Sequence, residues 1–174
     1  FNEYLIEKKV TAAQINRNVS LLTESRNDII TIQLTEPFIG EEGVFAKTLA
    51  NVMIQSICTV MNLDDNEING FYQPIVGQSG KVIIFETSEG GTGTLSSIVR
   101  DKNLLKRIAS KALDILHFDE QANDKDEACA TSCYNCICNF FNQQDHKLFN
   151  RHAVKDFLVE LAAVSAIQGS QDDN

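Results

Sequence analysis

The sequence is short of basic residues. Its 174 residues include 15 Lys and Arg against 24 Asp and Glu, so the net charge is −9 and the pI is near 4.7. A protein that clamps DNA by itself needs a basic face that displaces counterions from the phosphates. The composition therefore argues against an autonomous DNA clamp, and any attraction to nucleic acid has to come mostly from a neighbouring domain or a partner.

Proline and long apolar runs are also scarce. With two prolines, no internal repeat and no Pro/Ser-rich linker, we expect one domain over residues 1–174, with its core at about 26–168. No unbroken apolar run approaches the ~18 residues that cross a bilayer, so no membrane partner is expected. The chain starts at Phe1 and shows no secretory leader, from which we expect a cytoplasmic fragment of a longer protein.

Hydrophobic periodicity predicts the coarse fold. Short β-branched segments that partly alternate indicate strands, and apolar residues spaced three and four apart indicate amphipathic helices. The fold class predicted is α/β, with α+β as the alternative, in which long helices pack a small mixed sheet. The predicted strands are 29–34, 71–76 and 81–86, and the predicted helices are 45–61, about 94–117 and one that begins near residue 150.

The cysteines are the most informative feature. Four of the five lie within ten residues: Cys129, Cys133, Cys136 and Cys138. In a chain without a secretory leader, such clustering indicates a metal site rather than disulfides. Zinc takes four sulfur or nitrogen ligands in a tetrahedron. The Cys133-x-x-Cys136 spacing lets two sulfurs bind one ion, and Cys129 adds a third.

The sequence leaves two candidates for the fourth zinc ligand. Cys138 is near, but two ligands one residue apart often diverge in an extended chain. His146 follows ten residues after Cys136 and could complete the tetrahedron through a ring nitrogen. Four protein donors leave no open position, which favours a structural zinc over a catalytic one. The alternatives are a redox pair of thiols and a set of buried free thiols.

The segment 133–151 reads CYNCICNFFNQQDHKLFNR. It resembles the zinc-binding domain at the C-terminus of bacterial mitomycin-repair helicases, which recurs in helicase-associated subunits of DISARM-type phage-defence systems. The Cys-x3-Cys-Tyr-x-Cys block, the pair Asn142–Gln143 and His146 match that family's pattern. Asn150–Arg151 stands where the family has Asp-Arg, and Cys138 is not part of the pattern. Upstream, a strand followed by a Gly-Gly-x-Gly turn also agrees, and the resemblance covers about residues 26–160.

The resemblance implies a zinc-stabilised accessory domain with a C-terminal zinc knuckle. Its partner would be the motor domain or subunit of a superfamily 2 DNA helicase, with DNA reached through that partner, in DNA repair or antiviral defence. Its task would be to hold partner domains or guide DNA. Since neither a GxxxxGK[ST] loop nor an Asp-Glu-x-His box occurs, ATP hydrolysis is not expected here, and we favour a non-enzymatic role.

A glycine-rich turn is the other candidate site. Gly90, Gly91 and Gly93 end a strand and open a helix, where free N–H groups could hold a phosphate or contact a nucleic-acid backbone. The spacing is not GxGxxG, and Glu86 and Glu89 beside the turn would repel phosphate. A structural turn is therefore the favoured interpretation.

Two further functions remain as alternatives. One is a nucleic-acid-processing enzyme with a site between the glycine-rich turn and the cysteines, using Glu86 or Glu89 and His146. The other is a thiol redox switch. The basic run from Arg100 to Lys111 fits a solvated helix face, with a weak contact to a DNA backbone or a partner as its alternative.

Overall fold

The computed structural model describes residues 24–34, 42–119 and 121–163. The sequence predictions for residues 1–6 and for the polar tail 169–174 therefore lie outside the described residues. The described part consists of one sheet, a layer of helices packed on it, and an irregular segment between the last two long helices.

Three strands form the sheet: β1 (Ile29–Gln33), β2 (Ile68–Ile75) and β3 (Gln78–Glu86). The order is β1-β3-β2 and both pairings are antiparallel. β2 and β3 are joined by a tight turn at Val76–Gly77, where Gly77 adopts a φ of 76° that suits glycine. The predicted class and the central position of β3 are confirmed, but the described sheet is antiparallel rather than mixed, which corresponds to the α+β alternative.

Helix α1 (Glu42–Met61) is the centre of the core. Leu49 and Val52 are fully buried against the sheet and the other helices. By length and composition alone α1 could cross a membrane, but 56% of its apolar window is buried inside the fold. A core helix meets the same criteria, so the finding is weak evidence for a membrane span.

The long helix predicted over about 94–117 is instead two helices. α2 (Thr94–Arg100) and α3 (Lys102–Ile115) are separated by Asp101, whose backbone is extended at φ −96° and ψ 106°. The Asp101 side chain accepts a hydrogen bond from the Asn103 N–H at 2.9 Å. Asp101 therefore acts as the N-cap of α3, which is the reason that the helix restarts there.

The chain between α3 and the last helix has little regular structure. We call residues 117–139 the cysteine loop. It is followed by a 3₁₀ segment (Phe140–Leu148) and then by α4 (Arg151–Ala163), which packs on α3. The cysteine loop therefore starts at the end of α3 and leads back, through the 3₁₀ segment, to the first turn of α4.

The hydrophobic core lies between the sheet and the helices. Alternate residues of β3 point inward, and their neighbours point to the outer face of the sheet. On that outer face Phe71 and Phe85 meet edge to face, with ring centroids 6.3 Å apart. The core residues with no measurable exposure are Ala46, Leu49, Val52, Val82, Ile84, Ile108, Ala109, Ala112, Leu116, Ile137, Val154 and Leu158.

Candidate metal centre

Four donor atoms converge at the end of α3. They belong to His117, Cys129, Cys133 and Cys136, and all lie within 4.8 Å of one another. His117 Nε2 is 3.3 Å from Cys133 Sγ, and the sulfurs of Cys129 and Cys136 are 3.9 Å apart. Tetrahedral zinc with bonds of about 2.0–2.3 Å separates its ligands by roughly 3.5–4 Å. The spacing and the donor types of this cluster therefore fit zinc.

His117 is positioned by the way α3 ends. The Phe118 N–H donates to Leu113 O at 2.8 Å and the His117 N–H donates to Asp114 O at 3.0 Å, which is the Schellman arrangement of a helix C-terminus. His117 takes the left-handed position of that motif, with φ 64°, where glycine is the usual residue. A histidine in this conformation carries a cost of about 1–2 kcal/mol, and here its ring is directed at Cys133.

Two of the sulfurs are well shielded from solvent. Cys129 is 4% exposed and Cys136 is 8% exposed. The tight turn between Cys133 and Cys136 is fixed by backbone bonds, because the N–H groups of Cys136 and Cys138 both donate to Cys133 O at 3.1 Å. The N–H of Cys133 also donates to the Cys136 sulfur at 3.0 Å. This turn holds both sulfurs on the inner side of the loop.

Ionisation of the three thiols is unequal. Burial, together with the neighbouring sulfurs, raises the pKa of Cys129 to about 12, and burial also raises the pKa of Cys136. Burial opposes ionisation of Cys133 as well, but hydrogen bonds that include one from His117 lower its pKa to about 7. Three adjacent thiolates need a divalent cation between them. The arrangement is therefore that of a metal-binding cluster, and loading it releases protons.

The structure brings together three of the five predicted metal residues. Cys138, 7% exposed, lies outside the cluster, and its thiol is 3.3 Å from Ser132 Oγ. His146 also lies outside, with Nε2 at 3.1 Å from Asn139 O and 2.9 Å from Asn142 Oδ1. His146 therefore supports the 3₁₀ segment. His117, the last residue of the helix predicted over about 94–117, completes the cluster instead.

Asn142 of the Asn142–Gln143 pair has a structural role too. Asn142 and Asn139 form a reciprocal capping box at the start of the 3₁₀ segment. The Asn142 side-chain amide also donates to Ile137 O at 2.8 Å and to Asn51 Oδ1 at 3.1 Å, which ties this segment to α1. These contacts hold the chain that leaves the cysteine loop against the core.

The glycine-rich turn binds one of the protein's own carboxylates. Glu86, 1% exposed, accepts hydrogen bonds from the Leu95 N–H at 2.8 Å and from the N–H and hydroxyl of Thr92. Burial alone would raise the pKa of Glu86, but these bonds lower it below its ordinary value. The N–H groups of Thr92 and Leu95, beside the glycines that were the alternative candidates for a phosphate contact (Gly90, Gly91 and Gly93), are thus occupied by Glu86. No described contact joins this turn to His146.

The comparison with protein families supplies the deciding observation. The family described as the MrfA Zn-binding domain matches residues 49–137, which is 89 of 174 residues and includes all four donors. The chain belongs to the MrfA Zn-binding domain family. No curated protein matches the chain.

A solved structure agrees with this assignment at the level of the fold. It is described as the crystal structure of the DUF1998 helicase MrfA bound to DNA, and it shares 14% sequence identity with a TM-score of 0.51. The match covers 78% of this chain and 16% of that chain, so the chain spans about a sixth of the helicase. Family and donor set together establish this domain as zinc-binding.

Proposed function

We propose that the chain is a non-catalytic accessory domain of a superfamily 2 DNA helicase or defence complex, with a structural zinc held by His117, Cys129, Cys133 and Cys136. The observation that carries this proposal is the cluster of four protein donors. A catalytic zinc keeps one position for water or substrate, whereas four protein ligands fill the tetrahedron. No step of a reaction is then expected at the metal.

The zinc would fix the relative positions of two helices. His117 directly follows α3, and the chain leaving Cys136 leads through the 3₁₀ segment to α4. A metal that joins these donors stiffens a loop with little regular structure, because the free energy of binding a structural zinc is folding free energy. The stiffened loop would give partner domains a defined surface, which is the scaffolding part of the proposal.

A groove on α3 supports a role in guiding DNA. It has a volume of about 580 Å³, and Lys106 and Arg107 line it together with Asn103 and Ser110. Neither Lys106 nor Arg107 forms an ion pair with another described residue, whereas Lys111 at the same groove is paired with Asp114 at 2.8 Å. Cations without an ion pair to a described residue, beside amide and hydroxyl groups, suit a phosphate backbone. The groove would add a local contact to DNA held mainly by the partner.

The zinc assignment is tested by metal analysis of purified variants. Protein prepared without chelator should contain one zinc per chain, and H117A, C129S, C133S and C136S should each lose it. C138S and H146A are the matched controls and should keep it, because their side chains bond to Ser132 and Asn139 instead. Zinc retained in C136S, or lost in both controls, would overturn the ligand set.

The accessory role is tested on the zinc-loaded chain with ATP and with labelled DNA. We expect no hydrolysis of either, and turnover of one of them would favour an enzyme. Metal-free protein with a reversible internal disulfide as its stable form would favour the redox switch.

The DNA contact is tested separately by charge reversal. K106E/R107E should weaken binding of a labelled single strand and flatten its salt dependence by roughly one unit per lost contact. K81E, with Lys81 on the outer face of β3, is the control of like chemistry. If K106E/R107E and K81E lose the same DNA affinity, the proposed role of the groove in guiding DNA is wrong.

A further inference from the structure

Arg151 is a cation that is buried as deeply as the carboxylate of Glu86. It is the first residue of α4 and is 1% exposed. All five guanidinium N–H groups have acceptors in the cysteine loop and at the end of α3. Nε donates to Cys129 O at 2.6 Å, and Nη1 donates to Leu116 O at 3.0 Å and to Asp124 Oδ1 at 2.9 Å. Nη2 donates to the other Asp124 oxygen and to Asp126 O, the latter at 3.2 Å.

These acceptors lie beside the zinc donors. Leu116 immediately precedes His117, and Cys129 is itself a donor residue. The backbone N–H of Arg151 also donates to Thr131 O at 2.8 Å, between Cys129 and Cys133. One residue of α4 therefore fixes the two stretches of chain that carry the imidazole and the first thiolate.

The buried ion pair of Arg151 does not by itself indicate a stabilising role. Its guanidinium lies 4.9 Å from the centroid of the Phe118 ring and is paired with Asp124. Replacing a buried ion pair by apolar side chains of similar volume is often neutral or stabilising, so such a pair is weak evidence for stability. What an apolar side chain cannot do is hold several carbonyl groups in fixed directions. The arrangement favours a positioning role over a purely stabilising one.

We propose that Arg151 and Asp124 form a clamp that positions His117 and Cys129 for zinc. The clamp holds the end of α3 and the start of the Cys129 turn at the spacing that the metal requires. It thereby sets zinc affinity and coordination geometry without touching the ion. This inference rests on the proposed ligand set, and it assigns to Arg151 the support that outer partners give to metal ligands.

The test compares three variants of the whole chain. R151K keeps the charge but loses the planar fork, and D124N keeps the size but loses the charge of the partner. K155M is the matched control, because Lys155 is on the same helix and its Nζ lies 5.9 Å from the centroid of the same Phe118 ring, yet its described ion pair is to Asp156. Zinc affinity is measured by competition with a chromophoric chelator, and coordination by the absorption spectrum of the cobalt-substituted protein.

We expect R151K and D124N to bind zinc 10–100-fold more weakly, the range typical for loss of an outer partner of a metal ligand. Their cobalt spectra should differ from that of the parent, and K155M should match the parent in both. Parental affinity and spectrum in D124N and in folded R151K, even with a lower melting temperature, would overturn the clamp.

The failure of the clamp and the failure of the ligand set are distinguishable. If C136S loses zinc while R151K and D124N keep parental affinity and spectrum, only the clamp is wrong. If C136S keeps zinc, the ligand set is wrong and the clamp falls with it. If R151K does not fold, D124N decides, because the Asp124 side chain is 26% exposed and tolerates replacement more readily.

Discussion

The two halves of this domain are held together by different forces. The sheet and helices α1–α3 enclose an apolar core in which Leu49, Val82 and Ile108 have no measurable exposure. Among its described residues, the cysteine loop has as regular structure only an isolated bridge between Phe118 and Asp124. Loops of this length without secondary structure are uncommon in compact domains unless they are functional. From this difference we expect the loop to depend on the metal for its stability, whereas the core is stabilised by apolar burial.

Removal of zinc should produce the largest effect. Structural zinc contributes about 10–16 kcal/mol of apparent binding free energy in small zinc-finger peptides, more than any single core contact. We expect chelated protein, and C136S, to lose hydrogen-exchange protection in the cysteine loop while β3 and α1 keep theirs. Equal loss of protection in both halves would show that they fold as one unit and would break the comparison.

Truncation of a core side chain should have the opposite effect: it should lower the stability of the core and leave the zinc bound. In I108A, a side chain with no exposure leaves a cavity, and such substitutions cost about 2–5 kcal/mol. Urea unfolding of the zinc-loaded variant should show this loss, while elemental analysis still finds one zinc per chain in the folded protein. V99A is the control, because Val99 is 78% exposed and its truncation should change stability by less than about 0.5 kcal/mol. Loss of zinc from folded I108A would contradict the view that the core and the cysteine loop are stabilised independently.

The buried carboxylate of Glu86 gives a smaller, pH-dependent effect. In E86Q, an NH₂ group replaces one carboxylate oxygen that accepts hydrogen bonds, so that a donor then faces N–H donors. This replacement should lower the free energy of unfolding by about 1–3 kcal/mol. Because the folded pKa of Glu86 is lowered, its contribution is present above the ordinary glutamate pKa and disappears as the pH falls through the lower value. The stability difference from the parent should therefore shrink in acid. E89Q, an exposed neighbour on the same turn, should show no such difference.

The smallest effect is expected where the two halves meet at the surface. Asp114 of α3 pairs with Lys111 at 2.8 Å and with Lys125 of the cysteine loop at 2.7 Å, and hydrogen bonds from both lysines lower its pKa to about 2. D114N should cost only a few tenths of a kcal/mol, because the pair is exposed and screened. The difference should vanish in concentrated salt, and it should decline as the pH falls from about 4 toward 2. A loss of stability in D114N that persists in high salt would show that Asp114 couples α3 to the cysteine loop by more than screened charge attraction.

The sequence predicted the elements that depend on a repeating pattern. The alternation of apolar and polar residues in β3 and the helical spacing of apolar residues in α1 can be seen in the sequence, because the apolar residues lie on the buried face of each element. Cys129, Cys133 and Cys136 were found for a similar reason, since their spacing follows from a short turn around one ion. The break at Asp101 had a signal that was overlooked, an N-cap residue just before a new apolar period.

His117 and Arg151 could not be found in this way. His117 joins the cluster because the Schellman turn at the end of α3 directs its ring inward, and no spacing rule links a helix end to a cysteine twelve residues later. The family resemblance pointed to Arg151 as the Arg of an Asp-Arg pair, but a charged residue at the start of a helix is ordinarily exposed, so its burial was not predicted. Both roles come from tertiary placement, which brings distant carbonyl groups and donors to one point.

The clamp residue also has a consequence for how the chain is made. Arg151 follows all four zinc donors in the sequence, so a ribosome synthesises the complete donor set before the side chain that orders it. A chain that stops before Arg151 contains every ligand and lacks the hydrogen bonds to Leu116 and Cys129. On the proposed clamp, firm retention of the metal begins only when the first turn of α4 has emerged.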